Sequence, residues 1–341
     1  MKARLILHQE NRGWILEKFA VRLVEHLGAC GVDADISDAP SPGVDINHWL
    51  LYLYFDGNRP TPSTALITHI DEFAKLRRLK GALATLDAGI CLSRMTVETL
   101  VRRGAPREKL CYVTPAHDGI TTPRRITIGI TSRVYGDGRK REGLLVELAG
   151  AMRLDPFHFE IVGDGWGEIV VALEAAGATV TYSPGSADYD RDYLLTLERM
   201  ATFDYYLYTG LDEGSMGFLD ALAAGVPTIV TPQGFHLDVE GGITHSFTDL
   251  NELVGVFTTL AGERQRRMES VKGLTWAAYA RQHALIWQAL LAGKAPASAL
   301  EQRQQAPAPG IPQAGLSTAV EDAWFFAGPV VNRLKRLVKR R

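Results

Sequence analysis

Cysteine is scarce in this sequence. Cys30, Cys91 and Cys111 are odd in number and widely spaced. No CxxC pair or Cys/His cluster accompanies them, so neither a disulfide framework nor a structural zinc site is expected, and each thiol reads as a small reduced core residue. No run of about 18 apolar residues, the length a membrane span needs, is present. The opening MKARLILHQENRG has too short an apolar stretch for a signal peptide, and a reducing, cytoplasmic setting is the default expectation. A strong excess of charge is also missing: 37 Lys+Arg stand against 39 Asp+Glu in 341 residues, a net charge of −2. That sum is uneven. From residue 292 onward, eight basic residues meet three acidic ones, and the rest of the chain holds 29 against 36. A mildly acidic body is a poor phosphate-backbone binder, so no nucleic-acid partner is expected. Hydrophobic content of 46% and charged content of 22% are ordinary globular values and exclude a largely disordered chain.

What is present is an alternation of short apolar strands with amphipathic helices, the signature of βαβ units and parallel sheet. Strands are expected at 4–8, 49–55, 65–70, 89–92 and 110–113. Leu16, Phe19, Ala20, Leu23, Val24 and Leu27 recur at helical spacing, and 95–103 reads as a helix ended by Gly104 and Pro106. The segment PAHDGITTPRR at 115–125 has linker composition. A second series follows, with strands at 126–131, 157–162, 179–182, 205–209 and 228–230 and helices at 143–152, 169–176, 193–200 and 218–224. Residues 250–292 read as mostly helical, with Trp276, Tyr279, Ala280, His283 and Trp287 on one face. The expected organisation is an α/β chain of two tandem Rossmann-like domains, 1–118 and 119–292, the latter with closing helices. A flexible Ala/Pro/Gln-rich linker at 293–317 and a basic amphipathic tail at 318–341 follow.

Three segments of the second half carry chemistry. In 131–143 a strand end at Ser132–Arg133 leads through a Gly/Asp loop to Arg139, Lys140 and Arg141 before a helix. Cations beside a helix N-terminus suit a diphosphate. In 161–167, Gly163, Gly165 and Gly167 follow a strand, where backbone can approach a ligand closely. In 212–227, Asp212 and Glu213 precede a Gly-Ser-Met-Gly loop and a helix start, whose N–H groups can hold an anionic oxygen while the carboxylates accept hydrogen bonds from sugar hydroxyls.

The 212–227 segment, DEGSMGFLDALAAGVP, resembles the donor-site signature of retaining, GT-B-fold glycosyltransferases of the group 1 or family 4 type, usually Glu-Gly…Leu-Glu-Ala…Gly-x-Pro. Arg133…Lys140 resembles their Arg…Lys-Gly pair, 161–165 their Gly-x-Gly strand end, and 91–110 the end of their first domain. The likeness runs over about residues 1–290, with departures. The second acid is Asp220, not Glu. The acid eight positions before it is Asp212, while Glu213, which adjoins the glycine, is seven away. Lys140 lies seven after Arg133 rather than five, and Arg141 stands in place of the glycine. The resemblance implies a two-domain fold with an interdomain cleft. Arg133 and Lys140 would neutralise the donor diphosphate, and Gly163 and Gly165 would line the donor site. Glu213, with the backbone of Gly214, Ser215, Met216 and Gly217, would hold the sugar and distal phosphate, and Asp220 the ribose. Either Asp212 or Glu213 can fill the first-acid role, Glu213 being favoured by its neighbouring glycine. Retention of anomeric configuration is likewise implied.

On the acceptor side, His8, Asn11 and Trp14 follow the first strand, His69 follows another, and His117 stands at the domain junction; a hydrogen-bonded structural histidine is the plainer reading of each His. In the tail, Trp324, Phe325 and Phe326 precede six Lys/Arg from Arg333 on. That pattern suits an in-plane helix on the inner face of a membrane. The expected function is transfer of a sugar from a nucleotide-sugar donor to a glycan or lipid-linked acceptor, in cell-surface polysaccharide or glycolipid synthesis. No metal or cofactor is expected. A nucleotide-sugar epimerase of the same fold and a non-catalytic nucleotide-sugar-binding protein are the alternatives.

Overall fold

In a computed structural model of the chain, residues 1–119, 122–186 and 188–300 are described. The tail at 318–341 and most of the expected linker lie outside the described residues. The chain forms two compact units, one from the first 120 residues together with the chain from Val271, the other Thr121–Ser270.

The first unit carries β1 (Lys2–Ile6), α1 (Ile15–Leu27), β2 (Asp33–Ser37), β3 (Ile46–Trp49), β4 (Ser63–Ile67), α2 (Phe73–Thr85), β5 (Ala88–Cys91), α3 (Arg94–Arg102) and β6 (Leu110–Tyr112). All pairings are parallel, in the order β2-β1-β3-β4-β5-β6. The strand expected at 49–55 is displaced. β3 ends at Trp49, and Tyr52–Tyr54 form a 3-10 turn. Polar Asn47 and His48 hid the true strand. Both are buried, because the Asn47 amide donates to the Ser41 carbonyl (2.9 Å) and the Thr61 hydroxyl (2.7 Å), while His48 Nδ1 meets Thr64 Oγ1 at 2.8 Å.

The second unit carries β7 (Ile126–Thr131), α4 (Gly143–Ala151), β8 (Phe157–Val162), α5 (Gly167–Ala175), β9 (Thr179–Ser183), α6 (Tyr189–Met200), β10 (Tyr205–Tyr208), α7 (Met216–Ala223), β11 (Thr228–Val230), β12 (His245–Ser246) and α8 (Leu250–Ser270). Its parallel order, β12-β11-β10-β7-β8-β9, is the Rossmann arrangement, in which the direction of strand addition reverses between β7 and β10. Alternate residues of β7 and β8 (Ile126, Ile128, Ile130; Phe157, Phe159, Ile161) fill one core with Phe257 of α8. The opposite face holds Tyr206, Tyr208 and Phe218.

After α8 the chain returns to the first unit as α9 (Trp276–Leu291). The apolar face read from the sequence is buried, but against α1 and the first sheet. Phe19 packs edge-on to Trp276 at 5.4 Å, and Trp287 Nε1 donates to Thr64 Oγ1 at 3.2 Å. The stretch 119–292, drawn as one domain from the sequence, is therefore split at Val271. Helical periodicity tells that a face is buried, not which sheet buries it. Among the described residues no helix is long and apolar enough to cross a membrane.

Candidate functional site in the second unit

The carboxyl ends of β7 and β10 flank the reversal point of the second sheet, where open α/β sheets leave a crevice. The β7 loop brings Lys140 there, and the β10 loop brings Asp212. Their side chains meet at 2.8 Å, with Lys140 13% and Asp212 21% exposed. Tyr208, the last residue of β10, joins them: Lys140 Nζ donates to its hydroxyl (2.6 Å), and the hydroxyl reaches both Asp212 oxygens at 2.7 Å. The Gly214 N–H also donates to Asp212 (3.1 Å). Burial alone would raise the Asp212 pKa, but the bonds from Lys140, Tyr208 and Gly214 outweigh it and hold the carboxyl below its ordinary value. Burial and the carboxylate push the Tyr208 hydroxyl up, so it stays a proton donor. An ammonium has three protons, and these two partners use two of them.

Asp212, not Glu213, therefore stands against Lys140. Glu213 is exposed at the next position, and its carbonyl accepts from the Phe235 N–H at 3.0 Å. The following loop is shaped from below. Ser215 is buried; its hydroxyl pairs with Tyr206 at 2.7 Å, and its N–H donates to His236 Nε2 at 3.0 Å. The Phe218 N–H turns back to the Ser215 carbonyl (3.0 Å). This leaves the N–H groups of Met216 and Gly217, the first residues of α7, without an intrahelical acceptor. Asp220 lies half-buried one turn on.

Arg133 stands at the other side of β7, exposed, with Asp164 at 3.1 Å. Asp164 also accepts from the Gly185 N–H (2.8 Å), and so ties the ends of β7, β8 and β9 together. The glycines after β8 serve this crossing. Gly163 has φ +133°, and a Cβ there would collide with the Ser132 carbonyl. At Gly165 (φ +89°) a Cβ would lie 2.7 Å from Val134 Cβ. The close approach they permit is by the chain's own Arg133 loop. Trp166 is packed beneath it, donating to the Ser132 carbonyl at 2.6 Å. Beside Arg133 a cleft of about 390 Å³ opens, lined among others by Ser132, Asp164, Tyr189 and Tyr193. The two tyrosine rings stack 5.8 Å apart and 5° from parallel. Among the described residues, no group of three or more His, Cys, Asp or Glu is placed to hold a metal.

Sequence reading passed over Tyr208. The signal was available: Tyr206 and Tyr208 alternate in a strand, which puts both on one face. His236, in the turn after β11, is fully buried. Its Nδ1–H donates to the Thr231 carbonyl (3.1 Å), so Nε2 must accept from Ser215, and the ring is neutral. Burial lowers its pKa below the ordinary 6.5, against smaller opposing effects of the Thr231 carbonyl and Asp212. A depressed histidine favours the fold while neutral, so this contribution is intact at high pH and is lost as the pH falls below 6.5, until the folded-state pKa is passed. We expect the exchange protection of the Ser215 amide to drop over that window in the wild type and to persist in His236→Gln. Equal pH profiles in the two proteins would refute the coupling.

The acceptor-side candidates lie in the first unit. His8 and Asn11 follow β1, and His8 stacks on Tyr54 after β3 at 4.2 Å, across that sheet's own reversal point. Trp14 is 74% exposed, and His69 is exposed after β4. These four share the carboxyl edge of one parallel sheet. His117 does not join them. Its Nδ1 accepts from the Gly119 N–H (3.0 Å) and its Nε2–H donates to the Val271 carbonyl (3.1 Å), so the ring secures the return of the chain.

No family model matches the chain, and no curated protein matches it in sequence. Among solved structures it is similar to the lipopolysaccharide outer core galactosyltransferase WaaB in its apo form, at 12% identity and TM-score 0.34, over 84% of this chain and 100% of that one. It is similar to HepE of Anabaena in complex with UDP and glucose (13%, TM-score 0.31, over 89% and 98%). It is also similar to a sucrose-phosphate synthase from Thermosynechococcus elongatus (13%, TM-score 0.35, over 86% and 100%).

Proposed function

We propose that the chain is a GT-B-type glycosyltransferase that moves a sugar from a nucleotide-diphosphate donor to a glycan or lipid-linked acceptor, with retention. The observation that carries this is the Lys140–Asp212–Tyr208 cluster at the reversal point of a Rossmann sheet, beside the α7 N-terminus, with Lys140 and Asp212 in the two segments that resemble a donor signature. A diphosphate leaving group gains negative charge as the glycosidic bond breaks. Fixed cations and helix N–H dipoles stabilise that charge more in the transition state than before it. Lys140, held in place by Asp212, and Arg133, on the flank of β7, are the cations available. Met216 and Gly217 offer the N–H groups, and Glu213 and Asp220 the carboxylates for sugar and ribose hydroxyls. The cleft between Arg133 and the Tyr189–Tyr193 pair suits the nucleotide's base. No metal or cofactor enters this scheme.

The acceptor would meet the His8, Asn11, Trp14 and His69 edge. The basic segment 318–341 would hold the protein at the inner face of a membrane that carries such acceptors, in surface polysaccharide or glycolipid synthesis. The test is a melting-temperature panel of nucleotide sugars, since a ligand that binds only the folded state raises apparent stability by mass action. The donor so found is then assayed for acceptor-dependent release of nucleoside diphosphate, with product configuration read by NMR. Binding without turnover on any acceptor supports the non-catalytic reading, and isomerised donor without an acceptor supports the epimerase. Sedimentation with anionic vesicles should be lost when 318–341 are removed; a full-length chain that never sediments refutes the membrane assignment.

A further inference from the structure

We infer that Arg141 is a positioning residue, which clamps the Lys140 loop over the carboxyl ends of three strands so that the Lys140 ammonium stands at Asp212. The inference rests on the donor-site reading for its purpose, though not for its geometry. Among the described residues Arg141 alone combines a side chain with positive φ, +47°. A residue with a Cβ stays in the left-handed region only where its surroundings over-determine it. The surroundings are visible. Nε donates to the Thr209 carbonyl, just past β10. Nη2 donates to Thr231 Oγ1, just past β11. Nη1 donates to the Thr248 carbonyl, two residues past β12. Each bond is 2.8 Å. One rigid guanidinium thus ties three neighbouring strand ends, which a point-charge ammonium cannot span.

The rest of the loop is stitched to the same place. The Leu211 N–H donates to the Arg139 carbonyl (2.7 Å), and the Thr209 hydroxyl donates to the Lys140 carbonyl (2.6 Å). Lys140 is therefore fixed at its backbone from both sides before its side chain reaches Tyr208 and Asp212. The resembling signature has glycine at this position, where the left-handed turn is unstrained. This chain keeps the turn, places arginine there, and uses the side chain as the clamp. Lys140 lies two residues further from Arg133 than usual, and the longer loop needs an anchor.

The experiment needs no donor. The full-length, ligand-free protein is acylated with an amine-reactive ester, and labelling at Lys140 is read by peptide mass spectrometry, with Lys75 as internal reference. Lys75 is paired with Asp71 in the other unit. Lys140, partly buried and hydrogen-bonded to Tyr208 and Asp212, should label slowly in the wild type. Arg141→Gly and Arg141→Lys should each raise Lys140 labelling about tenfold, the scale of one lost charge-assisted hydrogen bond, and leave Lys75 unchanged. Thr231→Val removes a single acceptor and should shift Lys140 labelling in the same direction by less; it decides the matter if the Arg141 variants do not fold. Unchanged Lys140 labelling in a folded variant overturns the clamp. A protein that binds no nucleotide sugar at all would overturn the donor-site reading while leaving this result legible.

Discussion

Lys140→Ala and Asp212→Asn should each lower donor turnover by about 10²–10³-fold, the range seen when one preorganised donor to a developing oxyanion is removed. The two losses arise differently. Lys140→Ala deletes the cation and leaves Asp212 half-buried beside a tyrosine that still donates to it, so an uncompensated carboxylate would face an incoming diphosphate. Asp212→Asn keeps the cation but removes the carboxylate that aims it, and about 1–3 kcal/mol of stability should go with a charge-assisted bond lost at a largely buried site. Glu213→Gln separates the two acids. Its side chain is exposed, so turnover should fall with the melting temperature unchanged. Full activity in both Lys140→Ala and Asp212→Asn would remove the cluster from the mechanism, and full activity in Glu213→Gln alone would hand the first-acid role to Asp212. The readout is acceptor-dependent release of nucleoside diphosphate beside a melting curve for each variant.

The largest expected loss of stability lies elsewhere. Trp287→Ala should destabilise the first unit by about 3–5 kcal/mol, the usual cost of emptying a buried aromatic site. Trp287 is fully buried, its indole N–H shares Thr64 Oγ1 with His48, and its ring lies 5.6 Å from His48 and 5.8 Å from His283. Both histidines are neutral there. Burial pushes each pKa down, that of His283 to about 4. A cavity at Trp287 admits water, lets the histidines charge more readily as the pH falls, and compounds the damage in acid. In urea, monitored by residue-resolved hydrogen exchange, β1, β3 and α9 should lose protection together while β7 and β8 keep theirs. A loss under about 1 kcal/mol would show that α9 adds little to the first core.

How much of this could be read in advance depended on how local the cause was. β7, β8 and β11 were placed residue for residue, because β-branched and aromatic residues concentrate there, at alternate positions in β7 (Ile126, Ile128, Ile130) and β8 (Phe157, Phe159, Ile161), and that local pattern is itself the cause of a strand. β3 was missed because Asn47 and His48 look like loop residues until Ser41, Thr61 and Thr64 arrive from elsewhere to satisfy them. The loop at 139–141 showed its cations but not their order of use. Lys140 and Arg141 are adjacent and similar in charge, yet one reaches a carboxylate and the other three strand ends.

By itself, then, the sequence determined the class of the fold, two runs of βαβ units, and the two segments that carry the candidate chemistry. Both follow from hydrophobic period, turn residues and charge type, which are properties of neighbours in the chain. Only the tertiary structure decided which acid meets Lys140, that a buried histidine shapes the loop before α7, and that α9 belongs with the first sheet. Those outcomes depend on the order of strands in a sheet, which brings together groups 72, 21 and 223 residues apart, and no local pattern encodes which of several distant partners will be adjacent.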